Sequence, residues 1–340
     1  MINKITFLGT AGDSYVAGKQ IRASGGLIVR MGEIQLHIDP GPGALTRANE
    51  YGINIRANTA VLVSNSSLLH SNDTNAVIDA MTYGGIDKKG VLVANKSVVD
   101  GTESEKPIIT NLHKSFVERI VVMDKGQRLG IENVEIHALP AIGADPNGIG
   151  FKLLAPDFTL VYSSDTKYSK DLIKEYHGAD ILILNIPEPG EEKVEHQLNS
   201  ESAIKLIKGV NPKLVIINHF GIKMIKADPL YEGREIQKAT GVQVIIAKDG
   251  LTISPGSYSA KSDQKRLNTY KDHDTGEVTE TPEQEEVKSV PEEVQVESSE
   301  EVKDEQPVEE IKEEIEEEKS EVEAKPEEKH KEEHQEHLEF

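Results

Sequence analysis

The run Val61-Leu-Val, followed at once by Ser64-Asn-Ser-Ser-Leu-Leu-His-Ser-Asn-Asp73, constrains this chain more than any other stretch. A β-branched and apolar run with no polar face suits a strand buried on both sides. The polar loop after it leads into Thr74 to Tyr83, which reads as a helix. A loop between a buried strand and a helix lies on a rim, where binding and catalytic groups collect. His70 is its one imidazole.

Comparable strands are expected at Lys4 to Gly9, Gly25 to Arg30, Ile34 to Asp39, Gly90 to Ala94, Ile120 to Met123 and Val134 to Leu139. Phe151 to Leu154, Thr159 to Ser163, Asp180 to Asn185 and Lys213 to Asn218 continue the series. Helices are expected over Glu201 to Lys208, with Ala203, Leu206 and Ile207 on one face, and over Pro229 to Thr240. Val242 to Ala247 and Leu251 to Ser254 read as a closing pair turned at Asp249-Gly250. Gly9-Thr-Ala-Gly-Asp13 has neither the spacing of a dinucleotide loop nor that of a P-loop, so it reads as a structural turn. His37, inside a strand, reads as a packed histidine rather than a ligand.

Several of these junctions carry a resemblance. Asp39-Pro-Gly, Ser64 to Asp73, Gly150-Phe151, Ser164-Asp165-Thr166, Glu195-His196 and His219-Phe-Gly221 follow one another as in the metallo-β-lactamase superfamily. The nearest branches are the ribonuclease Z-like and archaeal metal-dependent hydrolase ones. The resemblance covers residues 1 to 256 and implies an α+β fold, the αββα sandwich of two packed sheets flanked by helices. It also implies ligand positions. The family pattern Thr/Ser-His-x-His-x-Asp-His falls on Ser64 to His70, so Asn65, Ser67 and Leu69 stand where three ligands would be. A fourth position falls on Gly143. His70, the bridging carboxylate Asp165 and the last imidazole His219 remain, and His196 matches the histidine that assists the scissile phosphate in ribonuclease Z. Asp39 matches a residue that steadies the site loop by hydrogen bonds.

An amide, a hydroxyl, an alkyl group and a hydrogen are poor substitutes for imidazole and carboxylate around Zn²⁺. A two-zinc centre is therefore not expected. The cofactor reading is none, or a single divalent Zn, Fe or Mn at His70, Asp165 and His219. Three functions follow: a binding or regulatory homologue without two-metal hydrolysis, a one-metal hydrolase of phosphodiester or ester bonds assisted by His196, or metal-free binding of a small ligand in the same cleft.

Charge separates the chain into two parts. From Ser257 to Phe340 there are 30 acidic and 11 basic side chains, so this segment holds −19 of the total of −21. Rich in Glu and Lys and poor in aromatic residues, residues 257–340 are expected to be a disordered acidic tail, because burial cannot offset the entropy of ordering them. Such a tail suits a basic protein partner. It disfavours anionic membrane and, outside the cleft, nucleic acid. His330, His334 and His337 within it read as solvated histidines. The chain has no cysteine, which excludes disulfides and thiolate metal sites. With no apolar run of membrane-spanning length and no secretory pattern after Met1, a cytoplasmic location is expected.

Overall fold

The computed structural model describes residues 3–191 and 195–258. The acidic segment from residue 259 onward, with His330, His334 and His337, lies outside the described residues.

The first half runs β1 (Asn3–Phe7), α1 (Ser14–Gly18), β2 (Leu27–Met31), β3 (Ile34–Ile38), α2 (Ala44–Glu50) and β4 (Ala60–Val63). It continues through α3 (Leu68–Ser71), α4 (Thr74–Thr82), β5 (Val91–Ala94), α5 (Lys96–Val99), α6 (Asn111–Lys114) and β6 (Arg119–Val122). The second half runs β7 (Arg128–Ile131), β8 (Val134–Pro140), β9 (Ile149–Leu154), β10 (Thr159–Tyr162), α7 (Lys170–Tyr176) and β11 (Ile181–Asn185). After these come α8 (Ser200–Val210), β12 (Leu214–Asn218), α9 (Ile222–Lys226), α10 (Pro229–Thr240), β13 (Gln243–Ile246) and β14 (Thr252–Ile253).

The strands form two mixed sheets, ordered β14-β1-β2-β3-β4-β5-β6 and β13-β12-β11-β10-β9-β8-β7. Each is antiparallel at one end and parallel at the other, the parallel strands being β3 to β6 and β10 to β13. Period two explains the layers. In β4, Ala60 and Leu62 enter the core between the sheets, whereas Val61 and Val63 pack under the helices on the outer side. In β11, Ile181 and Ile183 face the other sheet while Leu182 and Leu184 face α8. Both faces of these strands are dry, and so the runs carry no polar alternation. The result is the expected αββα sandwich, with helices outside both sheets.

Helix α8 shows how the outer layer is fixed. Asn199 and Ser202 form a reciprocal capping box at its start, and Ala203, Leu206, Ile207 and Val210 are buried on one face. Loss of that cap, as in Asn199→Ala, costs about 1 kcal/mol.

One expectation is corrected, and one strand is added. The closing pair is not a hairpin: β13 lies on β12 in one sheet and β14 on β1 in the other. Asp249 turns the chain across the sandwich, accepting from the Thr10 hydroxyl at 2.8 Å and the Ala23 N–H at 2.7 Å. The strand β7 was not expected, since Arg128-Leu-Gly-Ile is short and has a glycine inside, both features of an edge strand. No helix among the described residues is long and apolar enough to cross a membrane.

Candidate metal centre

The site lies where β3, β4, β10, β11 and β12 deliver their last residues between the sheets. Three of those ends carry non-glycine residues in the left-handed region: Asp39 (φ 54°), Ser164 (φ 57°) and His219 (φ 66°). Such backbone costs energy and persists only where the surroundings fix it. Here the fixing contacts are visible. Gly12 lies so close to His219 that a Cβ would stand 2.1 Å from the His219 carbonyl oxygen. Asp13 caps α1 with one oxygen and accepts the Ile222 N–H with the other, pinning the turn after His219. The Gly9 to Asp13 loop is thus the expected structural turn, and its task is to hold a site residue.

Asp39 is the hub. Its carboxylate accepts from the Ser64 N–H at 2.7 Å, the Ser64 hydroxyl at 2.6 Å, His70 Nδ1 at 2.8 Å and the Tyr162 hydroxyl at 2.7 Å. His70, placed by the short helix α3, points its other nitrogen at Asp165 Oδ2, 3.1 Å away. His219 Nε2 lies 3.4 Å from Asp165 Oδ1, and the two imidazole centroids are 4.7 Å apart. His70, Asp165 and His219 therefore converge, with one donor atom of each within 4.8 Å of the others.

Electrostatics follow from this packing. Burial by itself lowers the His70 pKa, but the carboxylates of Asp165 and Asp39 on either side raise it to about 10. Burial likewise opposes ionisation of Asp165, yet His219 and His70 hold its carboxyl well below the usual carboxylate range. His219 is pushed down to about 4 by burial, with the charge of His70 adding to the effect against the pull of Asp165. Burial and the neighbouring Asp39 raise the Tyr162 hydroxyl well above its ordinary value, so it remains a donor.

The other positions singled out in the sequence are placed as follows. Asn65 is buried, its Nδ2 on the Ser164 hydroxyl at 3.1 Å and its Oδ1 taken by the Ser67 N–H at 2.9 Å. Ser67 is exposed at the start of α3. Leu69 packs in an apolar cluster with Val16 and Ile21 beside α1 and with Ile222 and Ile225 on α9. Gly143 is pressed against the strand end, where a Cβ would lie 2.6 Å from the Asp165 carbonyl oxygen. His196 is 47 % exposed and pairs with Glu195 at 3.8 Å, apart from the three converging residues. Asp165 does not cap the following helix; Ser169 does.

Three groups escaped the sequence reading. Tyr162 and Asn185 bond the site carboxylates, and Asp145 ties the Ser66 N–H, Asn95, Ser97 and the Asn147 N–H together beneath the loop. A signal for Asn185 existed: Ile-Leu-Ile-Leu-Asn185 and Leu-Val-Ile-Ile-Asn218 are matching apolar runs, each ending in an amide. Beyond the loop lies a groove of about 960 Å³ lined by Ser66, Ser67, Asn72, Glu103, Glu105 and Asp145 among others; the three converging residues do not line it.

Comparison with known proteins agrees with this architecture. The family model described as "Beta-lactamase superfamily domain" matches residues 35–220. An uncharacterized protein of Methanocaldococcus jannaschii is 34% identical over 252 residues, which is 74% of this chain and 94% of the relative. The metallo-β-lactamase fold protein YhfI from Bacillus subtilis superposes with a TM-score of 0.64 at 19% identity, over 74% of this chain and 99% of that one. Zn²⁺-bound PqqB from Methylobacterium extorquens gives 0.58 at 15% identity, over 74% and 99%.

Proposed function

The chain belongs to the metallo-β-lactamase superfamily, and from that membership we propose that it has given up two-metal hydrolysis and is a binding or regulatory homologue built around one divalent ion at His70, Asp165 and His219. One observation carries the reading: three donors remain at ligand spacing, while the positions around them hold an amide bonded at both ends, an exposed hydroxyl, an alkyl group and a glycine.

The spacing suits one ion. His70 Nε2 stands 3.1 Å from Asp165 Oδ2 and His219 Nε2 stands 3.4 Å from Asp165 Oδ1, and one donor atom of each residue lies within 4.8 Å of the others, the reach of a single ion. Asp39 on His70 Nδ1 leaves Nε2 as the coordinating nitrogen, the usual arrangement behind a metal-bound histidine. A bound divalent ion supplies Lewis-acid polarisation and a more acidic water.

A second ion does not fit. Asn65 spends its amide on the Ser164 hydroxyl at one end and the Ser67 N–H at the other, Ser67 turns outward, Leu69 is committed to the apolar cluster of α1 and α9, and Gly143 has no side chain and no room for one. The remaining centre is also enclosed, with side-chain exposures of 2 % for His70, 8 % for His219 and 17 % for Asp165. Only a small ligand reaches it, by way of the Asp165 carboxylate. The acidic residues 257–340 belong to this reading as a solvating segment.

A one-metal hydrolase of phosphodiester or ester bonds, assisted by His196, is the second reading. The observation in its favour is the number of protein donors: three with a fourth position open is the pattern of catalytic zinc sites.

Metal analysis of purified protein separates them, run on the full chain and on a chain ended after Tyr258 to remove His330, His334 and His337. One Zn, Fe or Mn per chain, retained on truncation and lost in His219→Ala, with no turnover of a phosphodiester or ester substrate, is the expected result. Two ions per chain overturn the proposal. Hydrolysis abolished by His219→Ala and kept on truncation establishes the second reading.

A further inference from the structure

Asn185 ends β11 on the face that looks toward the other sheet, since Ile181 and Ile183 of the same strand lie in the inter-sheet core. Its amide nitrogen carries two hydrogens and both are used. One goes to Asp165 Oδ1 at 3.0 Å and the other to the Tyr162 hydroxyl oxygen at 3.3 Å. The Tyr162 hydroxyl, accepting there, keeps its own hydrogen for Asp39 Oδ2 at 2.7 Å. Asp39 and Asp165 are the carboxylates on the two sides of the His70 ring, at 2.8 and 3.1 Å. One neutral amide therefore ties both of them, one directly and one through a phenol.

The orientation of this amide is forced. Turning it over would set its oxygen against the Asp165 carboxylate and remove the donor from Tyr162. The cost of the observed orientation is visible, because Asn185 Oδ1 is buried with no hydrogen-bond partner. An aspartate here would offer no donor to Asp165, and a serine has one hydrogen where two are needed. A buried polar atom left unpaired while its amide nitrogen makes two bonds marks a residue held for those bonds.

We infer that Asn185, acting with Tyr162, is the positioning residue that sets Asp165 and Asp39 about His70 and thereby tunes the affinity of this centre for a divalent ion. The metal part of this inference rests on the one-ion reading above; the geometric part does not.

Two measurements on the full chain test it. Zinc affinity is read by competition with a chromophoric chelator, using His219→Ala to subtract binding elsewhere in the chain. Asn185→Leu and Tyr162→Phe are each expected to weaken binding 10- to 100-fold, as the loss of a residue that orients a ligand usually does. In the double variant the losses combine to less than their product, because the two residues act through one hydrogen-bonded chain. The second measurement needs no metal: the ring N–H resonances of His70 in metal-free protein are expected to move in both variants. Zinc affinity within two-fold of the parent and unmoved His70 resonances, with only a lower melting temperature, would make both residues packing groups and overturn the inference. If the parent chain takes up no zinc, the one-ion reading falls and the His70 resonances alone decide this inference. If Asn185→Leu does not fold, Tyr162→Phe, which removes a single oxygen, decides it.

Discussion

Asp39 Oδ2 and His70 Nδ1 stand 2.8 Å apart at the top of the inter-sheet core, with both side chains only 2 % exposed. Because the same carboxylate also receives the Ser64 N–H, the Ser64 hydroxyl and the Tyr162 hydroxyl, four donors depend on one residue. Asp39→Asn keeps the shape but turns an NH₂ toward at least one of those donors and leaves His70 with Asp165 as its one adjacent carboxylate. A loss of about 3 kcal/mol is expected, the size found when a buried charge or donor loses its partner. Urea unfolding measures it, and a loss below about 1 kcal/mol would mean that Asp39 is not the hub.

Gly143 makes a second test. A Cβ there would meet the Asp165 carbonyl oxygen at 2.6 Å, while at Gly130, on the edge strand β7, a Cβ meets nothing within 4 Å. Gly143→Ala should cost about 1–3 kcal/mol through forced backbone movement, and Gly130→Ala should cost nothing of that size. Thermal unfolding of the two variants side by side checks the contrast. Equal stabilities would show that the close approach relaxes freely.

The pH dependence of stability should carry the signature of His37. Its pKa is lowered to about 4, chiefly by complete burial, against the bond to the Gly25 carbonyl and the nearby charge of Asp39. In the unfolded chain the same imidazole takes up a proton near 6.5. Between these values the unfolded state binds the extra proton, so the contribution of His37 is complete above about pH 6.5 and is lost as pH falls toward 4. The full window corresponds to about 3 kcal/mol. His37→Gln, which has no such titration, should show a shallower fall of stability over that range than the parent. Parallel curves would refute the assignment.

Asp249 joins loops that are far apart in sequence, through the Thr10 hydroxyl and the Ala23 N–H. Asp249→Ala should therefore cost about 2 kcal/mol, as two lost bonds to a carboxylate would. An exposed turn residue in a plain hairpin would change stability by no more than about 0.5 kcal/mol. The melting temperature distinguishes the two.

How far the sequence reaches is clearest at particular elements. The run Val61-Leu-Val is a strand because no polar face interrupts it, and α10 begins at Pro229 and ends at Thr240 where proline and Gly241 say it must. These are local rules, and local rules were readable. The final pair was misread because a turn signal states that the chain reverses, and says nothing of which sheet receives the next strand. The short helices α1, α3 and α5 carry too few residues for a periodic pattern to show.

The candidate site divides in the same way. By itself the sequence named three side chains with ligand chemistry that the fold brings together, His70 on α3 and Asp165 and His219 just past β10 and β12. Only the tertiary structure decided that Asp39 serves four donors, that Leu69 belongs to the cluster of α1 and α9, and that Asn185 and Tyr162 bind the two carboxylates together. The reason is physical. Alternation along a strand fixes which face is buried, but contacts between residues a hundred positions apart depend on how strands of two sheets come into register, and that is settled by packing of the whole core.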